Sequence, residues 1–194
     1  MAHVKRALDI GISLLGLILL TPLLVVIAIL IKLDSPGPLL YKSQRLGRGG
    51  KPFSMFKFRS MYAGSPPVHN ADGSLRVEKR DSRVTRVGRI LRLGFDELPQ
   101  LLNVLKGDMS LIGPRPDPPG ALPFYREADR RKFLVRPGMT GLAQVTGRTD
   151  IPWRQRLAYD LEYLEHQSLW LDAKIAFWTI YEFIPPLRNR RLQG

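Results

Sequence analysis

Two adjacent carboxylates, Asp96 and Glu97, stand in the segment Phe95-Asp96-Glu97-Leu98-Pro99-Gln100, in a region crowded with arginine and lysine. A carboxylate attacking a phosphoryl centre meets several negative charges. It therefore needs fixed cations or a metal beside it to stabilise the transition state. Acids set among so many cations point to chemistry on a phosphorylated substrate. Adjacent helical residues project about 100° apart at ~3.6 residues per turn, so separate roles are expected for the two, one attacking and the other holding a metal or managing a proton. Downstream lies the proline-bounded segment Gly113-Pro114-Arg115-Pro116.

Composition narrows the partners. The 194 residues include 30 basic and 17 acidic side chains, a formal charge of +13. Such an excess calls for anionic partners: nucleic acid, acidic lipid or phosphorylated small molecules. The chain has no cysteine, which excludes disulfides, thiolate metal sites and cysteine nucleophiles. His3, His69 and His166 are scattered without ligand spacing, which argues against zinc. A nucleic-acid binder would account for the charge, but no aromatic-basic recognition motif is evident, and no nucleic-acid partner is expected. A non-catalytic membrane scaffold would leave Asp96-Glu97 without a job.

The elements that must position the dyad follow from pattern. Asp96 fits an N-cap, with Pro99 inside the first helical turn. Leu98, Leu101, Leu102 and Leu105 would form the core-facing stripe and Gly107 the end of that helix. Before it, Arg83 to Leu93 places arginines at 83, 86, 89 and 92 on one helical face. Leu39–Gln44 and Phe53–Phe58 read as strands around Gly47-Arg48-Gly49-Gly50. A short charged helix is expected over Pro118–Lys132, then a glycine-marked loop from Arg136 to Gly141. Further helices are expected over Trp153–Gln167 and Leu169–Ile184. The aromatics of the last suit either a core or a helix lying in the membrane plane.

The N-terminal run from Ile10 to Ile31 carries no charge and would measure roughly 33 Å as straight helix, enough to cross a bilayer. It is too long for a signal-peptide core, and no small-x-small cleavage site follows. Pro22 interrupts its middle, at about 3 kcal/mol or more in a helix interior, and the Thr21 hydroxyl can bond a carbonyl freed by the kink. Lys5 and Arg6 before the run and Lys32 after it frustrate a span, since cationic flanks prefer one face. A re-entrant hairpin bent at Thr21-Pro22 satisfies both ends. A full span and a buried core helix are the alternatives.

Taken in order, Lys32 to Pro38, Phe56-Lys57-Phe58-Arg59-Ser60-Met61, Asp96 to Ser110, Gly113 to Pro116 and Arg136 to Val145 resemble the small monotopic phosphoglycosyl transferases, bacterial polyprenyl-phosphate sugar-phosphate transferases. The likeness covers nearly the whole chain and corresponds to the minimal catalytic form. It implies an α+β, mostly helical fold. Residues 1–33 would be a re-entrant membrane helix broken at Thr21-Pro22, and residues 34–194 a cytoplasmic catalytic domain with a short β-hairpin and interfacial amphipathic helices. It further implies transfer of a sugar 1-phosphate from a UDP-sugar to polyprenol phosphate (undecaprenyl phosphate) with release of UMP. That reaction would occur at the cytoplasmic face of a bacterial inner membrane, in glycoconjugate synthesis. By the resemblance Asp96 is the nucleophile, forming a covalent phosphosugar intermediate, Glu97 its dyad partner, and Mg2+ is required at these carboxylates. Lys57, Arg59, Arg92, Arg115 and Arg148 are the candidate phosphate and substrate contacts, membrane lipids are partners, and a homodimer is left open. The usual serine-leucine before the dyad is Gly94-Phe95 here. Arg92 lies four residues ahead of Asp96, where some members carry a phosphate-binding arginine five ahead.

Overall fold

The computed structural model describes residues 2–66, 81–147 and 151–183. The first helix, α1, runs unbroken over Ala2–Asp34 with Pro22 inside it. Thr21 Oγ1 donates to the Leu17 carbonyl at 2.7 Å, one turn back along the helix. It takes Leu17, not Ile18, whose carbonyl is the one left without a partner by Pro22. Along α1, Leu15, Ile18, Leu19 and Val25 are exposed, and only Asp9, Ser13, Ile27 and Ile31 are buried. That removes the buried core helix as a reading of this segment, which is long and apolar enough to cross a membrane.

Strands β1 (Leu40–Leu46) and β2 (Pro52–Phe58) pair antiparallel, Leu40 opposite Phe58 and Leu46 opposite Pro52. This is the hairpin anticipated from the glycine turn. Next come α2 (Arg86–Leu91) and α3 (Gln100–Lys106), then β3 (Ser110–Ile112), which pairs in parallel with β4 (Gly138–Thr140). The parallel pair escapes pattern reading because each strand is three residues long. Gly113 and Gly138 permit it: a Cβ on either would collide with the other's backbone. Helices α4 (Leu142–Gly147), α5 (Trp153–Glu165) and α6 (Leu169–Phe183) complete the described chain. The result is a mostly helical α+β fold.

Three expectations are corrected. The stretch 83–93 is not one helix: Thr85 caps α2 by accepting from Gly88 N, and Arg83 lies outside it, paired with Asp81 at 2.6 Å. Of the arginines at 83, 86, 89 and 92, Arg86 and Arg89 lie within α2 and Arg92 caps its C-terminus, while Arg83 is outside the helix. The region 118–132 forms two 3-10 stretches, Pro119–Phe124 and Glu127–Leu134. Pro118, Pro119 and Pro123 remove donors that an α-helix would need. In α3 the buried face is Gln100, Leu101, Asn103 and Val104, while Leu102 is exposed. Asn103 turns inward because its side chain ties β2 to the helix, accepting from Phe56 N and donating to Ser54 O.

The core is divided into patches rather than gathered in one centre. Ile27 and Ile31 of α1 pack on Phe58 and Leu91. Met55, Val104 and Met109 join β2 to α3, and Ile112, Val145, Tyr163 and Ile175 join β3 to the last three helices. The cationic start of α1 is held by the same domain: Lys5 pairs with Asp172 at 2.6 Å, and Arg6 donates to the Val104 and Leu105 carbonyls.

Candidate active site

The dyad lies in a 3-10 turn, Phe95–Glu97, between α2 and α3. Asp96 is therefore not the N-cap of the following helix, as the pattern suggested. Pro99 occupies that position, without a side-chain cap. The turn is possible because Gly94 adopts φ 120°, a conformation open to glycine and costly for other residues. Gly94 thus supplies the reversal that sets both carboxylates in a 3-10 turn outside a regular helix.

Lys57 projects from β2 between the two acids, with Nζ 2.6 Å from Glu97 Oε1 and 3.9 Å from Asp96 Oδ2. Arg115 Nη2 approaches Glu97 Oε1 at 3.8 Å, and Gln100 adds a hydrogen bond to Glu97. Burial would raise the Glu97 carboxyl, but Lys57 and Arg115 together outweigh it and hold its pKa at about 2. Asp96 is moved the other way. Burial and the neighbouring Glu97 charge raise it, and the more distant Lys57 and Arg92 offset this only in part. Two adjacent acids are thereby driven apart in acidity, the arrangement that separates functions in paired carboxylates.

The other sequence candidates are placed unequally. Arg92 sits beside Asp96 in electrostatic range and donates from Nε to Ser60 Oγ at 3.2 Å. Arg59 is elsewhere engaged: it is buried and donates to the carbonyls of Ile31, Ser35 and Pro36, closing the end of α1. Arg148 lies outside the described residues. Thr21 and Pro22 belong to the middle of α1, distant in role from the dyad.

Arg45 is the cation that sequence reading missed. It shares a hairpin face with Lys57, since Tyr41 pairs Lys57 and Arg45 lies four residues along the same strand. Burial and Arg115 lower its pKa, and Asp117, Tyr41 and, least, Glu97 pull it up. The period-two alternation of β1 was the signal available. Asp96 and Glu97 are the pair able to take a metal. Among the described residues there is no group of three or more histidines or acids that could form a full protein cage.

Behind Arg115 lies a buried network. Its backbone N donates to Asp160 Oδ1 at 3.2 Å. Lys132 Nζ bridges Asp117 at 2.6 Å and Asp160 at 2.9 Å, and the Tyr125 hydroxyl donates to Asp117. The segment carrying Arg115 is thus fixed by interior charge.

A model of the family described as bacterial sugar transferase matches residues 1–185. The chain is 46% identical over 187 residues to a UDP-glucose:undecaprenyl-phosphate glucose-1-phosphate transferase of Caulobacter vibrioides, covering 91% of this chain and 68% of that protein. It is 42% identical over 190 residues to a UDP-N-acetylgalactosamine-undecaprenyl-phosphate N-acetylgalactosaminephosphotransferase of Aeromonas hydrophila, covering 92% and 43%. It is 44% identical over 192 residues to the exopolysaccharide production protein PSS of Rhizobium leguminosarum bv. phaseoli, covering 91% and 92%. The chain therefore spans less than half of some relatives and nearly all of others. Glucose and N-acetylgalactosamine transferases match it almost equally, so overall identity does not fix the sugar. With a dyad held between lysine and arginine and a family match along most of its length, this chain belongs to the bacterial sugar transferase family.

Proposed function

We propose that the chain transfers a sugar 1-phosphate from a UDP-sugar to undecaprenyl phosphate, releasing UMP, through a phosphosugar ester on Asp96. The observation that carries this reading is the asymmetry of the dyad. Glu97 is ionised and tied to Lys57 and Arg115, whereas Asp96, with its pKa raised and Lys57 only at 3.9 Å, keeps an oxygen for attack. The Asp96 oxygen attacks the sugar-bearing phosphorus of the diphosphate. The bond from that phosphorus to the bridging oxygen breaks and UMP leaves with the electron pair. A phosphate oxygen of undecaprenyl phosphate then attacks the same phosphorus, freeing the carboxylate and forming the lipid diphosphate sugar. Splitting the transfer lets a water-soluble donor and a lipid-borne acceptor use one centre in turn.

Lys57, Arg115, Arg92 and Arg45 surround the position where phosphate charge would build up. Fixed cations there stabilise the transition state without reorganising. Two carboxylates without a third protein ligand suit magnesium, which keeps several waters and is commonly shared between carboxylates and substrate phosphates. Bound there, the ion would neutralise diphosphate charge.

The membrane assignment has its own support. Lys5 and Arg6 at one end of α1 and Ile27 and Ile31 at the other all contact the same domain. A helix crossing the bilayer would carry these ends to opposite sides. Residues 1–33 are therefore assigned as a segment that enters and leaves one leaflet about Thr21-Pro22. The basic residues at both ends support a reading in which residues 34–194 lie on the cytoplasmic face of the inner membrane. In α6, Trp170, Phe177 and Ile180 are exposed and fit lipid contact in the plane of the membrane.

The test combines purified protein, magnesium, UDP-sugars and undecaprenyl phosphate. UMP release by the wild type that is lost in Asp96→Asn is expected, together with a phosphosugar mass on the wild type after donor alone. Release unchanged in the variant would overturn the role of Asp96.

A further inference from the structure

A second concentration of positive charge lies away from the dyad. A cavity of about 370 Å³ is lined by Lys5, Arg48, Arg136, Asp9, Gln167 and Leu134, among others, and shares no residue with the dyad or its cations. Arg136 donates from Nε to the Gly107 carbonyl at 2.8 Å, at the C-terminal end of α3. The dyad precedes the other end, so about 10 Å of helix separates the two places at ~1.5 Å per residue.

The charges in this cavity are not balanced from within. Asp9, the acid of its lining, already accepts from Ser110 Oγ at 2.8 Å and Leu111 N at 3.1 Å. Lys5 is engaged by Asp172 at 2.6 Å. Among the described residues nothing accepts a hydrogen bond from the Arg48 guanidinium or from the Nη groups of Arg136. Burial, Arg6 and Arg48 depress the pKa of Arg136, and Asp9 offsets this only in part. Arg6 cannot serve a ligand, because it is spent on the Val104 and Leu105 carbonyls. Two forked donors line this hollow beside the Lys5 ammonium, which also holds Asp172, a set of groups suited to a phosphate. Lys5 precedes Ile10, where the uncharged run of α1 begins, and Leu134 is exposed nearby.

We propose that this cavity binds a phosphate-bearing anion, seated between Arg48, Arg136 and Lys5, as a site separate from the catalytic dyad. The site does not depend on the reaction assigned to Asp96. Its position at the foot of α1 places it at headgroup level when α1 is in lipid, so the phosphate comes from an anionic phospholipid or from free phosphate in solution.

Both sources are testable on the full chain. Arg48→Glu changes an exposed side chain of the glycine turn, and Lys51→Glu changes one in the same turn outside the cavity. Arg136→Gln is the second variant. Delipidated protein in detergent is offered equal phosphatidylglycerol and phosphatidylcholine and weighed by native mass spectrometry. In a parallel arm, melting is followed as inorganic phosphate is added. Retention of phosphatidylglycerol by the wild type and Lys51→Glu, reduced about tenfold in Arg48→Glu and Arg136→Gln, supports a headgroup site; tenfold is the worth of one charge-assisted hydrogen bond. A phosphate-dependent rise in Tm lost in the same two variants, without preference for phosphatidylglycerol, supports a free-phosphate site. Equal responses of Arg48→Glu and Lys51→Glu, or no response of the wild type to either probe, would overturn the proposal.

Discussion

Two places in this molecule set a pair of aspartate or glutamate side chains against a single lysine, and they are built to opposite ends. Around Lys132, Asp117 and Asp160 both lie within 2.9 Å of the ammonium, and the three side chains are 4%, 10% and 2% exposed. Around Lys57 the distances are 2.6 and 3.9 Å, with side-chain exposures of 18% for the lysine, 13% for Asp96 and 28% for Glu97. The first cluster is closed: tyrosine, lysine and a backbone amide occupy its oxygens. The second leaves one carboxylate, Asp96, loosely held though partly buried. A satisfied buried network fixes geometry, whereas charge left partly uncompensated in an accessible place is available for chemistry. The two are joined, because Asp160 holds the backbone of Arg115, which faces Glu97.

The strongest break of this contrast is Asp96→Asn. UMP release should fall by about 10³-fold or more, the scale expected when a nucleophile is removed. Thermal stability should hold or rise, since ionised Asp96 is disfavoured by its surroundings. Loss of stability together with activity would make Asp96 a structural residue. The closed cluster should answer the other way. Lys132→Met leaves two buried carboxylates without their cation, at a cost of about 3–5 kcal/mol, read as a large fall in Tm in detergent. A Tm unchanged by that substitution would remove the distinction between the clusters.

Lys57→Met sharpens the comparison. Glu97 loses its nearest cation and its pKa should climb from about 2 towards the usual carboxylate range. Activity should fall by about 10- to 100-fold, corresponding to roughly 1.4–2.7 kcal/mol of transition-state stabilisation. A smaller effect than that of Lys51→Glu would assign Lys57 to structure alone.

The mildest probe is pH. Glu97, at about 2 against an ordinary 4.5, contributes stability that is complete above pH 4.5 and is lost as pH falls towards 2. Asp96 has the opposite sign: its raised pKa costs stability once pH climbs through it, and the cost disappears below the ordinary aspartate value of 3.8. Because Asp96 must be ionised to attack, the acid limb of kcat/KM should lie above 3.8. Asp96→Glu should move this limb, whereas a limb unchanged in that variant would assign it to another group.

Much of this was legible in the chain itself. Antiparallel strands around Gly47-Arg48-Gly49-Gly50, the end of α3 at Gly107, and the helices from Trp153 and Leu169 follow from local patterns of turn residues and apolar spacing. These depend on neighbours within a few positions, so a linear reading reaches them. The acidic dyad stands out by residue type among prolines and glycines, whereas Lys57 and Arg115 are singled out by the family resemblance. The misreadings have a common cause. Asp96 as an N-cap, the 83–93 helix and the 118–132 helix were all drawn from local propensity, which tertiary packing and serial prolines override.

Residue order alone therefore specified a chain of short helices and one hairpin, an apolar segment with cationic ends, and two carboxylates among cations. Which cation serves which acid had to await folding. Lys57 and Glu97 are forty residues apart, Arg115 and Asp160 forty-five. Arg59, indistinguishable by type from Arg92, is consumed by the end of α1. Such pairings, and with them the different acidities of Asp96 and Glu97, are set by distance and burial, which arise only when remote segments pack together.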